Sequence, residues 1–386
     1  MANNHNKPHQ GFIRSTKQLT ALMIVFSLLL SGCQAASPGE LANTVTSVPQ
    51  QISTSTPGQA IPPSSTAISS QQAGPTQTFT PTQGASQQSS ATPSASSTPV
   101  ETTLATAGEI KTVFIIVMEN HNWSSIINNN SAPYINQTLL PQASYALNYH
   151  NPPGIHPSEP NYLWLEAGTN FGVHNDSGVK SNHQSSTDHL VTYLNNAGFT
   201  WKAYEEGISG KVCPLKDVNL YAAKHNPMVY FDDVTDNMDP NAAYCIAHER
   251  PFSELATDLK NNTVAQYNFI TPNLCNDMHD VVGCPSLDQV KNGDTWLSEQ
   301  VPMILASEAY KNGGVLFITW DESDDNDQPI GMIVLSPLAK GGGYSNSIEY
   351  THSSTLRTIQ EIFNVKPFLG DAANATDLSD LFRVFP

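Results

Sequence analysis

Two adjacent carboxylates, Asp321 and Glu322, follow directly on the apolar run Val315, Leu316, Phe317, Ile318, Thr319 and Trp320. A run so rich in β-branched and aromatic residues reads as a strand buried on both faces, and open α/β sheets bind their ligands at the carboxyl ends of such strands. The pattern recurs upstream, where Val113, Phe114, Ile115, Ile116, Val117 and Met118 end in Glu119, Asn120 and His121. Two strand ends that carry hard oxygen donors to one rim describe a divalent-cation site, and with it metal-assisted hydrolysis.

Three further segments carry candidate chemistry. Between Gly154 and Leu163, prolines crowd a loop that opens into a helix over 162–167, with Ser158 near its N-cap. A hydroxyl there sits among free backbone N–H groups at the positive end of the helix dipole, a setting for a nucleophile and for a gripped phosphate. It equally suits a structural cap. Asp277, His279 and Asp280 share a loop after an apolar run, mixing oxygen and nitrogen donors suited to a divalent transition metal. The same loop could be a solvated turn pinned by a disulfide. His352 precedes an amphipathic helix containing Leu356, Ile359, Ile362 and Phe363, as a ligand or as a polar cap.

These residues must be positioned by a scaffold. Strands are expected over 112–118, 144–149, 200–204, 265–270, 315–320 and 330–335, alternating with helical stretches. One helix opens at Ser131, Ala132 and Pro133, another opens at Thr187 and Asp188 and closes at Gly198, and a longer one spans about 294–310. The alternation defines one large α/β domain over 108–386.

The segments before it have other duties. Lys7, Arg14 and Lys17 precede an apolar core over 19–30, followed by Leu30, Ser31, Gly32 and Cys33. This resembles a bacterial lipoprotein signal peptide over 1–32, cleaved to leave Cys33 as the lipid anchor, and the apolar core is short for a membrane span. The stretch 33–107 is Ser, Thr, Pro, Gln, Ala and Gly with no lysine or arginine, a composition that cannot bury enough apolar surface to fold. It is expected to be a disordered stalk. The protein would then stand outside the cytoplasm on the outer face of the cell membrane, touching the membrane through its N-terminal lipid only.

The net charge is −17, and −20 once the three signal-peptide cations are removed. A chain this acidic does not hold nucleic acid through phosphate contacts. Asp321, Glu322, Asp324, Asp325 and Asp327 form a cluster that is either a solvated loop or a cation site. With Cys33 assigned to lipid, four cysteines remain. Cys213 with Cys245 and Cys275 with Cys284 each close a local loop, and this is the expected disulfide pairing.

Taken together, Glu119-Asn120-His121, His156-Pro157-Ser158-Glu159-Pro160-Asn161-Tyr162, Asn276 to Asp280, Thr319 to Glu322, and His352 with Leu356 to Ile359 resemble the bacterial and fungal phosphoesterase family. That family includes acid phosphatases and phospholipases C and belongs to the alkaline phosphatase superfamily. The resemblance covers the whole domain after the stalk. It implies a central, mostly parallel sheet flanked by helices on both faces, and a divalent metal, whether zinc, manganese, iron or calcium. Glu119, Asn120, Asp321, Glu322 and Asp277 would surround the metal, Ser158 would be the nucleophile, and His279 and His352 would serve the catalytic steps. Family members often read Glu-Asn-His-Ser-Phe-Asp in the first motif, where this chain has Asn122, Trp123 and Ser124 after His121.

The expected activity is metal-dependent hydrolysis of phosphate esters through a phosphoserine. A phosphomonoesterase is preferred to a phospholipase C or other phosphodiesterase, because no appended C-terminal membrane domain is evident. Rival chemistries lack their motifs: there is no G-x-S-x-G, and His248-Glu249-Arg250-Pro251-Phe252 is not H-E-x-x-H. The acidic loop places Asn326 where an EF-hand needs glycine. A non-catalytic surface-binding lipoprotein on the same fold is the alternative of another class. The sequence leaves the oligomeric state open.

Overall fold

The computed structural model describes residues 109–386, Asp325 excepted. The expected signal peptide, the lipid anchor Cys33 and the stalk lie outside the described residues. Strands are β1 (Thr112–Met118), β2 (Ser144–Ala146), β3 (Tyr149–His150), β4 (Trp201–Glu205), β5 (Glu249–Pro251), β6 (Tyr267–Thr271), β7 (Gly314–Trp320), β8 (Met332–Leu335), β9 (Tyr344–Asn346) and β10 (Tyr350–Thr351). One sheet has the order β5-β4-β6-β1-β7-β8-β2-β9, and β3 pairs with β10 apart from it. All its pairings are parallel except those of β8. Every residue of β1, β6 and β7 is buried, so the sheet is covered on both faces at its centre. This is the mixed α/β architecture the alternation implied.

The differences from expectation have local causes. The run 144–149 divides: β2 joins the large sheet, while Tyr149 turns out of it, accepts from the Ile330 N–H and pairs with Tyr350 of β10. β8 runs antiparallel because the short segment after β7 leaves no room for a crossover helix. The helix expected over 294–310 is Gln289–Ala306, started by the Asp288 side chain accepting from the Lys291 N–H (3.0 Å). It stops before Ser307, which caps the separate turn Glu308–Lys311. The helix expected at Ser131 is a single π-helical turn, Ile135–Leu139, tied by the Tyr134 and Ile135 N–H groups to the buried Asp294 carboxylate. The helix expected from Thr187 spans Leu190–Asn196.

Two features of this scaffold bear on the site. Gly293 lets the long helix close on the loop after β6: a Cβ there would stand 2.3 Å from Met278 Cγ and 2.8 Å from Met118 Cε. The disulfides Cys213–Cys245 and Cys275–Cys284 have formed, the pairing expected from the short loops. The second pins the same loop that Gly293 admits. Two disulfides suit an oxidising, extracytoplasmic compartment.

Glu205 ends β4, one residue beyond the expected strand, and meets Glu249 of β5 in the interior. Both are fully buried. Glu205 accepts from Thr271 Oγ1 (3.0 Å) and Glu249 from Asn226 Nδ2 (2.7 Å), leaving Glu205 Oε2 and Glu249 Oε1 without partners. Burial pushes the Glu249 carboxyl up to about 8, and burial with the Glu249 charge raises Glu205 well above the ordinary carboxyl range. A carboxyl whose folded pKa lies above its unfolded value favours folding most below the unfolded pKa, and that stability is lost as pH rises through the folded value. The thermal midpoint is therefore expected to fall between about pH 4.5 and pH 8. Calorimetry of Glu249→Gln should show a flatter profile across that window; a slope equal to that of the native chain would place the pH sensitivity elsewhere.

Candidate active site

Three strand ends converge at one rim. The Glu119 N–H donates to the Asp277 carbonyl (2.8 Å) and the Asp321 N–H to the Met118 carbonyl (2.9 Å), which ties the ends of β1 and β7 to the loop after β6. Asn120 is held with φ +32°, a sparsely populated conformation that asparagine tolerates better than most residues. The turn points its N–H at Asp321 Oδ1 (3.0 Å) and its Nδ2 at Glu322 Oε1 (2.8 Å). Met278, between Asp277 and His279, also has positive φ, +82°.

Ser158 is the first residue of the helix Ser158–Ala167, with Pro157 rather than Ser158 at the N-cap and no side-chain capping bond. Its hydroxyl is thus free of the structural duty that the sequence allowed. It donates to Glu119 Oε2 (3.1 Å) and stands 3.4 Å from Glu322 Oε1. One turn on, Asn161 Nδ2 donates to the Ile155 carbonyl (2.9 Å), and the Tyr162 hydroxyl donates to Glu119 Oε1 (2.5 Å). The structure therefore brings together Ser158, Glu119, Asn120, Asp321 and Glu322, with Asp277 behind Glu119.

The electrostatics are those of crowded, dry carboxylates. Burial, then the charges of Asp321 and Asp277, raise Glu119 well above its ordinary value. Burial, then Glu322, push Asp321 up to about 8, and burial raises Asp277 strongly. Asp321 Oδ2, Asp277 Oδ2 and Asn120 Oδ1 are buried without hydrogen-bond partners. Such groups need protons or a cation. Among the described residues, no three histidine, cysteine, aspartate or glutamate side chains converge as a finished metal cage. The donor set, several anionic oxygens with vacant lone pairs, still fits a divalent cation.

The two histidines named from sequence are placed differently from one another. His279 is about one-third exposed, with its Nδ1 on Asp280 Oδ1 (2.8 Å) and its backbone N–H on Asp277 Oδ1 (2.8 Å). His352 is fully buried beneath Asp321. Its Nε2 donates to the Asp321 carbonyl, so its Nδ1 accepts from the Tyr149 hydroxyl (3.1 Å). Burial pushes its pKa down to about 4, and the ring is a neutral strut with both nitrogens engaged.

Sequence reasoning missed His225. It is buried between Glu119 and Asp277, with Nε2 3.4 Å from Glu119 Oε1 and Nδ1 3.4 Å from Asp277 Oδ2, and it stacks on Tyr162 at 5.2 Å. Burial lowers its pKa well below the ordinary value. No strand or motif marked it. His156 was visible only as part of the Ser158 motif; it bridges Glu322 and Asp327 Oδ1, the latter at 2.9 Å. Trp123, where the first motif departs from the family pattern, is core: it is buried and packs edge-on against Trp320 at 5.8 Å.

The mostly parallel sheet brings the carboxylates and the helix-mounted serine to one rim. Residues 142–366 match the model of the Phosphoesterase family, and the chain belongs to that family. It is a phosphoesterase, hydrolysing phosphate esters. The chain is 30% identical over 271 residues to a phosphatidylinositol-3-phosphatase of Mycobacterium tuberculosis, covering 70% of this chain and 82% of that one. It is 30% identical over 226 residues to a phosphate-repressible acid phosphatase of Penicillium chrysogenum, covering 56% of this chain and 51% of that one. A Vibrio parahaemolyticus protein of the alkaline phosphatase superfamily superposes with a TM-score of 0.48 at 10% identity, over 71% of each chain.

Proposed function

We propose that this phosphoesterase is a metal-dependent phosphomonoesterase of acid-phosphatase type, working through a phosphoserine on Ser158. The observation that carries the reading is the seat of Ser158: a buried hydroxyl at a helix start, with no capping duty, donating into a carboxylate cluster that has unpartnered oxygens. Glu119, Asn120, Asp277, Asp321 and Glu322 would hold the cation, whether zinc, manganese, iron or calcium. When bound, it supplies Lewis acidity and neutralises the charge developing on the phosphoryl oxygens.

The chain's own residues then perform the two transfers. Ser158 Oγ attacks phosphorus while its proton passes into the carboxylates it already faces, the ester P–O bond breaks, and the leaving alkoxide takes a proton from water. Water next attacks the phosphoserine, giving a proton to His279, and inorganic phosphate leaves as Ser158 regains its hydroxyl. His279, partly exposed and oriented by Asp280, takes this role rather than His352, whose ring nitrogens are both engaged and whose role becomes the support of Asp321. The helix N-terminus favours the phosphoryl anion throughout. On this reading the enzyme works outside the cytoplasm, tethered by lipid on Cys33.

Metal analysis of the purified protein, with hydrolysis of a phosphomonoester, a phosphodiester and phosphatidylcholine, tests the proposal. Stoichiometric metal and preference for the monoester are expected. Preference for phosphatidylcholine would make the protein a phospholipase C, and turnover unaffected by chelation would remove the metal from the mechanism.

A further inference from the structure

Lys224 lies beside this site without a part in the steps above. It sits on the short turn Ala223–His225, so its backbone leads directly into His225. Its Nζ donates to Asp176 Oδ2 (3.0 Å), and each of the two side chains is about one-quarter exposed. Asp176 Oδ1 in turn accepts the backbone N–H of Glu159 (3.0 Å), the residue after Ser158. The ion pair therefore stands at the helix start that carries the serine, open to solvent on one side. Burial works against the Lys224 charge, but Asp176, Glu119 and Asp321 outweigh it, and Lys224 in turn favours the ionised forms of Glu119 and Asp277.

We propose that Lys224, held in reserve by Asp176, recognises the second negative charge of a phosphomonoester and so makes the site prefer monoesters over diesters. The inference rests on the phosphomonoesterase reading and adds to it the residue that sets the preference. A phosphate monoester is largely dianionic near pH 7, whereas a diester carries one charge. Four carboxylates line the rim, so even with a divalent cation bound the surroundings oppose a dianion more than a monoanion. A partly exposed ammonium at the helix start that carries the nucleophile reverses that bias. Its compact charge on a flexible stem can leave one carboxylate for a phosphoryl oxygen without moving the backbone.

The test uses the full, metal-loaded protein with para-nitrophenyl phosphate and bis(para-nitrophenyl) phosphate. Lys224→Met should lower kcat/KM for the monoester by about ten- to hundredfold, mainly through KM, since a charge-assisted hydrogen bond of ordinary strength is lost. The diester rate should stay within about threefold. Lys224→Arg should restore most of the monoester preference. Asp176→Asn keeps the acceptor for the Glu159 N–H but releases the lysine, and should lower the monoester KM. Calorimetric binding of inorganic phosphate should weaken in Lys224→Met in step with the monoester KM. Vesicles carrying phosphatidic acid present the same dianion on a lipid, and comparing them with the soluble ester tells from which phase the substrate arrives. Equal losses on both esters, or none on either, would overturn the role of Lys224 and leave the phosphoesterase mechanism standing. A native chain that prefers the diester would overturn the monoesterase reading itself.

Discussion

Ser158→Ala is expected to lose about a thousandfold or more in kcat on a soluble phosphomonoester while binding its metal within a few fold of the native chain. The reason is a division of labour at the helix start. The hydroxyl is the only atom the substitution removes, and it caps nothing, because Pro157 occupies the N-cap. Tyr162 continues to hold Glu119, and Asn120 continues to hold Asp321 and Glu322. Fold and carboxylate cluster should therefore survive, and only formation of the phosphoserine should fail. Rapid-quench trapping of labelled enzyme gives a second reading: the native protein should accumulate label on serine and the variant none. A variant within a few fold of native turnover would move the nucleophile elsewhere.

Asp321→Ala should show the opposite pattern, with metal and activity lost together and again about a thousandfold in rate. Asp321 is fully buried and repelled by its neighbours, so it is tolerable there only with a proton or a cation for company. Alanine also orphans the Asn120 N–H, at a cost of about 1–3 kcal/mol in stability. Asp321→Asn separates the two effects, since its amide oxygen still accepts from Asn120 while the charge is gone. Metal titration of both variants, alongside their thermal midpoints, decides the matter. If Asp321→Asn binds metal as the native chain does, the Asp321 charge is not what holds the cation.

The contrast between these two variants mirrors a contrast in how their residues could be found. Asp321 and Glu119 were legible because each ends an uninterrupted apolar run, and such a run dictates a buried strand whatever its neighbours do. Ser158 was legible in type and motif, but its freedom from capping was not, since that depends on which residue takes the first helical turn. The two disulfides followed from loop length alone.

Other parts of the site are products of long-range packing. His225 is one of twelve histidines and lies in a loop without periodicity; it matters because the turn after Ala222 folds back against Tyr162 and between the carboxylates of Glu119 and Asp277. His352 was visible as a helix-start residue, yet its neutral, doubly bonded state comes from Tyr149 and the Asp321 carbonyl, 203 and 31 residues away. The Glu249 charge reaches Glu205 only because β4 pairs with β5, in a register that sets Ala203 beside Glu249. Local composition by itself determined the central strands and the carboxylates that end them, because apolar runs and chain punctuation act over a few residues. The tertiary structure alone decided the charge environment and which histidine meets which carboxylate, because desolvation and Coulomb interactions depend on distance in space rather than along the chain.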